Sequence, residues 1–400
     1  MSIEQVQVVI AGAGPVGSVA AAYLAQHGID VLLCEQGNDA AQDLRASTFH
    51  APTLEMLDEI GVTDKLLAMG LKAPVYHWRD RKSDEVFSFD LTELSDIARY
   101  PYRLQCEQYH LAKMLADRLD GLDNAQVLFE HRVVHVAQDD AGVSVALEHM
   151  TGIKQIRCQY LIGADGANSI VRKWMGIDFD GFTYPEKFLC LSTEFPVESK
   201  VPDLAMVNYI SDSDEWLVLL RVPNLWRVLV PALGEETDAY LLSDEKKTKV
   251  FDGILGDGAE IETRHRTIYR VHQRVAKTFR DGRIALIGDA AHLNNPLGGF
   301  GMNSGIHDAF NLCEKLVSVL KGETSDDVLD LYDRQPRTVT HAFTQQQTLE
   351  NMEMMRAGQS EAHRQRVESM RALAENPEKR RQFLMRQAMF SSLADAAAID

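Results

Sequence analysis

Six residues near the start, Gly12-Ala13-Gly14-Pro15-Val16-Gly17, restrict this chain more than any others. They follow VQVVIA, residues 6–11, a short β-branched run that reads as a buried strand. After them Val16, Val19, Ala20, Tyr23 and Leu24 recur at helical spacing, and Gly28 stands where a helix C-cap belongs. A second apolar strand, DVLLCE, ends at Glu35. Strand, glycine turn, helix and strand within about 30 residues form a βαβ unit carrying the dinucleotide fingerprint. Gly12, Gly14 and Gly17 permit the tight turn and let a pyrophosphate approach the helix N-terminus. Glu35 lies 18 residues beyond the third glycine and can accept hydrogen bonds from ribose hydroxyls. Its charge disfavours a 2′-phosphate, so the adenosine of FAD or NAD fits better than that of NADP.

One such unit does not separate FAD from NAD; a later loop does. The run RIALI leads into GDAAHLNNPLGGFGMNSG, residues 288–305, and then into an amphipathic helix marked by Ile306, Phe310, Cys313, Leu316 and Leu320. Asp289, at the end of a buried strand, can hold a sugar or ribityl hydroxyl. Gly298 and Gly299 leave room for a flat isoalloxazine ring. The N–H groups around Gly301, Met302, Asn303 and Ser304, aided by the helix dipole, can face its N1/C2=O edge.

Between these loops the sequence predicts a helix from Thr53 to Met69, an irregular aromatic stretch over 74–100, and a helix around Gln108 to Leu119. VLFEHRVVHVAQ and VSVALEH flank DDAG, a hairpin signal. Residues 180–275 look like β-structure, and the chain beyond 325 reads as helices with a mobile terminus. The expected fold is α/β: a discontinuous Rossmann-like FAD-binding domain (1–73, 101–178 and 276–325) interleaved with a β-sheet substrate domain (74–100 and 179–275), then C-terminal helices (326–400). The 400 residues suffice for this arrangement.

Three ordered motifs carry a resemblance: GAGPVG at 12–17, GADGANSIVR at 163–172 and GDAAHLNNPLGGFGMNSGIHDAFNL at 288–312. Together they resemble the single-component FAD-dependent aromatic hydroxylases, the para-hydroxybenzoate hydroxylase-like flavoprotein monooxygenases, over roughly residues 5 to 340. The resemblance implies FAD as cofactor, NADH or NADPH as transient electron donor, and O2 as co-substrate. It also implies hydroxylation of a phenolic or heteroaromatic ring through a flavin C4a-hydroperoxide. By the same similarity Arg45 and Gln108 contact FAD, Asp165 helps bind it and position the nicotinamide donor, Asp289 holds its ribityl-pyrophosphate region, and Pro296 lines the space beside the ring. The chain departs from the family at Asn295-Pro296, where Pro-Pro is frequent, at Phe300, where Gln is common, and at Cys313-Glu314-Lys315. The family's C-terminal thioredoxin-like domain is not among these residues, which resembles its shorter members. A flavin-dependent reductase, a ubiquinone-pathway-type ring hydroxylase and a non-catalytic FAD-binding sensor remain as alternatives. Halogenase WxWxIP and Baeyer–Villiger FxGxxxHxxxW stretches are absent.

For the ring itself the polar candidates are Tyr209, Arg221, His265 and Tyr269, with Arg221 suited to a substrate carboxylate. Each also has a plainer reading, as a core tyrosine or a solvated charge. His292 reads as ordering its loop, and NMEMMR at 351–356 as helix packing. A net charge of -18, from 59 acidic and 41 basic residues, argues against nucleic acid or anionic membrane as a main partner. Five scattered cysteines without a CxxC pair predict reduced thiols and no metal site. With no basic leader and no membrane-length apolar run, the expectation is a cytoplasmic protein. A homodimer is left open.

Overall fold

The strand Glu4–Ala11 runs between two parallel neighbours, Val31–Cys34 on one side and Gly152–Gly163 on the other. Its last four residues are buried. This is the centre of an eight-stranded sheet in a computed structural model that describes residues 4–40, 46–212, 215–232, 235–256, 260–356 and 361–400. Ala125–Leu128 and Ile284–Leu286 extend it in parallel, while Arg132–Asp139 and Gly142–His149 form the antiparallel hairpin expected around DDAG. The helices Pro15–Gln26 and Phe300–Leu320 pack together on it, so the first and third motifs meet through their helices. A parallel sheet covered in this way explains the continuous apolar runs of its strands. The fold is α/β.

A second eight-stranded sheet carries the ring-facing candidates. Its core strands are His265–Ala276, Phe179–Thr193, Leu225–Ala232, Leu217–Val222 and Val207–Ser211, in that spatial order. Period-two alternation gives it two different faces. Leu189, Leu191, Leu217, Leu219, Val228 and Val230 share one apolar cluster with Val250 and Phe251 of the covering helix Asp244–Leu255. Phe188, Cys190, Val207, Val218 and Leu229 turn the other way, towards Leu297 of the glycine-rich loop and the C-terminal helices.

Three sequence expectations are corrected. The stretch 74–100 is not irregular: Val75–Asp80 and Glu85–Asp90 form a hairpin that completes the second sheet, with Tyr76, Trp78 and Asp80 inward. Alternating inward aromatics and outward His77 and Arg79 are the pattern of a half-buried strand, which the density of polar residues hid. The helix expected from Thr53 to Met69 is two, Ala51–Glu59 and Thr63–Met69, separated at Gly61 where φ is +70°. The chain end is not loose either. Helix Phe390–Ala397 packs on Val328–Val339, and the carbonyls of Ile399 and Asp400 accept from Gln335 and Arg334. No described helix is long and apolar enough to cross a membrane. All five cysteines are buried free thiols, and no metal-binding cluster occurs among the described residues.

Candidate functional site

Local sterics draw the three motifs together. A Cβ added at Gly12, where φ is +103°, would lie 2.4 Å from the Ala164 carbonyl oxygen, so the first motif touches the second. Gly288, at φ +59°, and Gly305 both press on the Val16 side chain, which brings in the third motif. The helix Pro15–Gln26 begins here without a side-chain cap and without an acid in its first turn, leaving its N–H groups for an anion. A Cβ at Gly14 would meet no protein atom within 4 Å and would project into the space before that helix end. This cradle fits a pyrophosphate. Glu35 fits the adjoining ribose: its carboxylate accepts from Ala13 N and Gly37 N, both at 2.9 Å, and stays half-buried at the sheet edge.

The third loop offers a second helix end. Phe300–Leu320 has no side-chain cap and no acid in its first turn, and its N-cap Gly299 is left-handed at φ +71°. Asp289 is exposed just ahead of it, and so is Pro296. Gly301 is half-buried and Met302 buried in the first turn. At Gly298 an added Cβ would strike the Phe300 ring at 2.4 Å and at Gly299 it would crowd Thr48 at 3.2 Å, so close packing and positive φ themselves require glycine there. Asn303 is a clip: its amide nitrogen donates to the carbonyls of Thr48 and Gly299, and its oxygen accepts from His50 N.

The same loop is held from the C-terminal side. Asn295, the departure from Pro-Pro, donates to Tyr184 Oη at 3.1 Å and to the Thr348 carbonyl at 2.9 Å, while its oxygen accepts from Leu297 N. Gln345 donates to the Leu293 carbonyl, and Asn351 to that of Leu297. Gln345 ends a π-helical turn, Thr340–Gln345, a geometry frequent at functional sites, and Thr348 and Asn351 lie in the α-helix that follows, Gln346–Met355. Met352 and Met355 are buried packing residues, as read from the sequence. His292 does order its loop: it pairs with Asp308 at 2.8 Å, and Asp308 also accepts from Gly288 N.

The other candidates scatter. Asp165 caps the helix Ile170–Trp174, accepting from Ile170 N at 2.7 Å and Val171 N at 3.1 Å. Gln108 opens its helix half-buried, with its N–H on the Ala46 carbonyl. Arg45 lies outside the described residues. His265 and Tyr269 project from the loop-facing side of the second sheet, and Tyr269 lies beside Cys190. Arg221 sits at a hairpin end, over the Trp226 ring and against the Val222 carbonyl.

Tyr209 belongs to a group that sequence reasoning missed. Its hydroxyl accepts from Arg103 Nη1 at 3.3 Å, and its ring meets Tyr76 edge-on. The Arg103 guanidinium lies 4.2 Å from the Tyr76 ring centroid. Two residues along the same strand face, Gln105 accepts from Thr48, the residue against Gly299. His50 contacts the Gly298 carbonyl at 2.8 Å through Nε2. A carbonyl only accepts, so Nε2 carries the hydrogen. Gln105 Nε2, Arg103 Nε, His50 Nδ1, Tyr76 Oη and Trp78 Nε1 are buried without hydrogen-bond partners. Native interiors rarely tolerate such a concentration.

Buried His50 and half-buried His307 set an acid limit here. Burial pushes His307 from 6.5 down to about 4, and burial together with Arg103 pushes His50 well below 6.5. Folded values below the unfolded one mean that this stability is present above about pH 6.5 and lost as pH falls towards 4. Melting temperature is therefore expected to drop across that window, and His307→Gln to flatten the drop; a drop unchanged in the variant refutes it.

Comparison with known proteins settles the family. Residues 5–347 match the model of the FAD binding domain family. The chain belongs to the FAD-dependent aromatic hydroxylases. Over 357 residues it is 32% identical to a para-nitrophenol 4-monooxygenase of Pseudomonas sp. (strain WBC-3), covering 87% of each chain. It is also 32% identical, over 84% of its length and 85% of the relative, to a 6-hydroxy-3-succinoylpyridine 3-monooxygenase of Pseudomonas putida (strain DSM 28022 / S16). The crystal structure of p-nitrophenol 4-monooxygenase PnpA from Pseudomonas putida DLL-E4 superposes with a TM-score of 0.92, at 28% identity, over 98% of this chain and 99% of that one. This hydroxylase is thus an FAD-dependent monooxygenase.

Proposed function

We propose that this flavoprotein uses NADH or NADPH and O2 to hydroxylate a phenolic or hydroxypyridine-type ring bound between the Pro296–Gly301 loop and the second sheet. One observation carries the reading: His50, Tyr76, Trp78, Arg103 and Gln105 have buried unpartnered polar atoms, His50 holds the Gly298 carbonyl, and Tyr76 and Trp78 share an apolar cluster with Leu297. An apolar pocket with a few convergent polar groups suits an aromatic ring bearing a hydroxyl. The relatives' names, a nitrophenol and a hydroxypyridine monooxygenase, support the same substrate chemistry.

FAD, when bound, supplies hydride acceptance and oxygen activation. The chain's own residues bind, orient and dry the site. Gly12, Gly14 and Gly17 with Glu35 would hold the adenosine and pyrophosphate, and Asp289 the ribityl-pyrophosphate region. The N–H groups of Gly301 and Met302 would donate to the ring's pyrimidine edge and stabilise negative charge there. Neutral His50 fixes the Gly298 carbonyl and with it the loop. Pro296, presenting no N–H, would line the space beside the ring. Leu297, Phe300 and the sheet face exclude water, which keeps activated oxygen for the ring.

The test is NAD(P)H oxidation by the FAD-loaded protein with 4-nitrophenol, other phenols and 6-hydroxypyridines, in air and without oxygen, with product identification. Ring-stimulated, oxygen-dependent oxidation yielding hydroxylated product is expected. Oxidation that needs an acceptor other than O2 would mark a reductase, and none with any ring would mark a flavin-binding protein without turnover; either refutes the proposal.

A further inference from the structure

Arg103 is a cation that the fold leaves without an anion. It is 2% exposed and the largest of the fully buried side chains. Among the described residues no carboxylate pairs with it. Its contacts are the Tyr209 hydroxyl at 3.3 Å and the face of Tyr76, and its Nε has no partner. Two other buried cations are matched by carboxylates, Arg227 by Glu107 and Lys246 by Glu215 and Glu236, and buried Arg172 spends its N–H groups on the carbonyls of Ala290 and Ala167. A guanidinium cannot shed its proton to escape burial, and an unpaired buried charge is costly. The titratable groups facing it come from three elements: His50 before the helix Ala51–Glu59, Tyr76 of the hairpin, and Tyr209 of the second sheet. Burial holds His50 neutral and pushes the Tyr76 hydroxyl up, so neither supplies an anion near neutral pH. Arg103 also borders a narrow cleft with His50, Leu91, Leu94, Tyr102 and Phe390.

We infer that Arg103 is the anion-recognising residue of the ring site, so that this hydroxylase selects phenols acidic enough to bind as phenolates. The inference rests on the hydroxylase reading for the location of the substrate, and names the substrate's charge. A phenolate oxygen would accept from the unused N–H groups of Arg103, in a charge-assisted bond stronger than any neutral phenol makes. The proton lost on binding goes to solvent. The anion is also the more nucleophilic ring, so recognition and activation coincide in one contact.

Bound 4-nitrophenol reports its own ionisation through the visible band of its phenolate, whatever the turnover. In the FAD-loaded protein, the midpoint of that band is expected to lie roughly one to two pH units below that of free 4-nitrophenol. In Arg103→Met the midpoint should return to the free value, and affinity for the phenolate should fall roughly 10- to 100-fold. Arg103→Lys, which keeps the charge and loses the fork, should fall between. 4-Nitroanisole, which cannot ionise, should bind wild type weakly and the Met variant no worse. Should Arg103→Met fail to fold, wild-type preference for 4-nitrophenol over 4-nitroanisole decides. Equal binding of the two, a midpoint unmoved by the substitution, or failure of 4-nitrophenol and the chlorophenols alike to bind overturns the inference. Phenolate binding without oxygen-dependent turnover would sink the hydroxylase reading and leave the anion site standing; turnover with no Arg103-dependent ionisation would do the reverse.

Discussion

Gly17→Ala is expected to yield little folded, FAD-loaded protein, whereas Gly14→Ala should fold normally and lose only the cofactor. The two glycines lie three residues apart in one motif and differ in what surrounds them. At Gly17 an added Cβ would stand 2.0 Å from the Gly12 carbonyl oxygen and 3.1 Å from the Ala164 Cβ. Both neighbours belong to the convergence of strand, helix and second motif, and the nearer atom is backbone, so relief requires moving the helix off the sheet. Overpacking of this kind costs about 3 kcal/mol or more, a large part of a typical domain's stability. At Gly14 the backbone is ordinary, φ -71°, and the methyl would meet no protein atom within 4 Å. Its apoprotein should melt within about 1 kcal/mol of wild type. FAD affinity should nevertheless fall roughly 10- to 100-fold, because the methyl occupies the path of the pyrophosphate towards the helix N–H groups. Apoprotein melting and FAD titration by flavin fluorescence separate the cases. Equal FAD affinity in wild type and Gly14→Ala would mean that the dinucleotide does not cross this helix end.

The same contrast explains what could be read in advance. Gly12, Gly14, Gly17 and Glu35 are legible because a dinucleotide turn admits few residue types at fixed spacing, and because strand and helix periodicity bracket it. The glycine-rich loop is legible too, although the reason for Gly298 and Gly299 was visible only in three dimensions, where Phe300 and Thr48 close on them. Arg103 carried no local signal. In RYPYRLQ it is one cation among several polar and aromatic residues, and its significance lies in the carboxylate it lacks, a property of the folded neighbourhood. Arg221 attracted attention as a cation suited to a substrate carboxylate, yet the hairpin end gives it a carbonyl and a tryptophan face. The hold of the C-terminal helices on the loop had no sequence signal, because Asn295, Gln345 and Asn351 reach their partners only when segments about 50 residues apart pack together. Periodicity predicts a helix; it does not say whose carbonyls its amides will find.

Breaking the Glu107–Arg227 pair is the other substitution expected to have a large effect, and it tests whether the two sheets act as one unit. Glu107 is the N-cap residue of the helix Gln108–Leu119, yet its carboxylate does not cap that helix. It turns instead to Arg227 of the second sheet, accepting from Nη2 at 2.6 and 2.7 Å, with side-chain exposures of 10% and 3%. Arg227 projects from the same sheet face as Cys190 and Leu229, so this bond joins the FAD-side helix to the ring-facing surface. Glu107→Ala leaves a buried guanidinium with its main partner gone, at a cost of about 3–5 kcal/mol. Replacing both residues by methionine removes the stranded charge and should recover most of that loss, since apolar side chains of similar volume serve a buried position as well as an ion pair does. The expected order of urea midpoints is wild type close to the double variant, with Glu107→Ala far below. Ring binding should separate the two near-equal proteins. The double variant keeps FAD, but without the directional bond the sheet face is less firmly set against the glycine-rich loop, so KM for the phenol should rise while FAD affinity stays unchanged. Equal stability of Glu107→Ala and wild type would show that the pair is open to water in solution, and an unchanged KM in the double variant would show that packing alone sets the sheet against the loop.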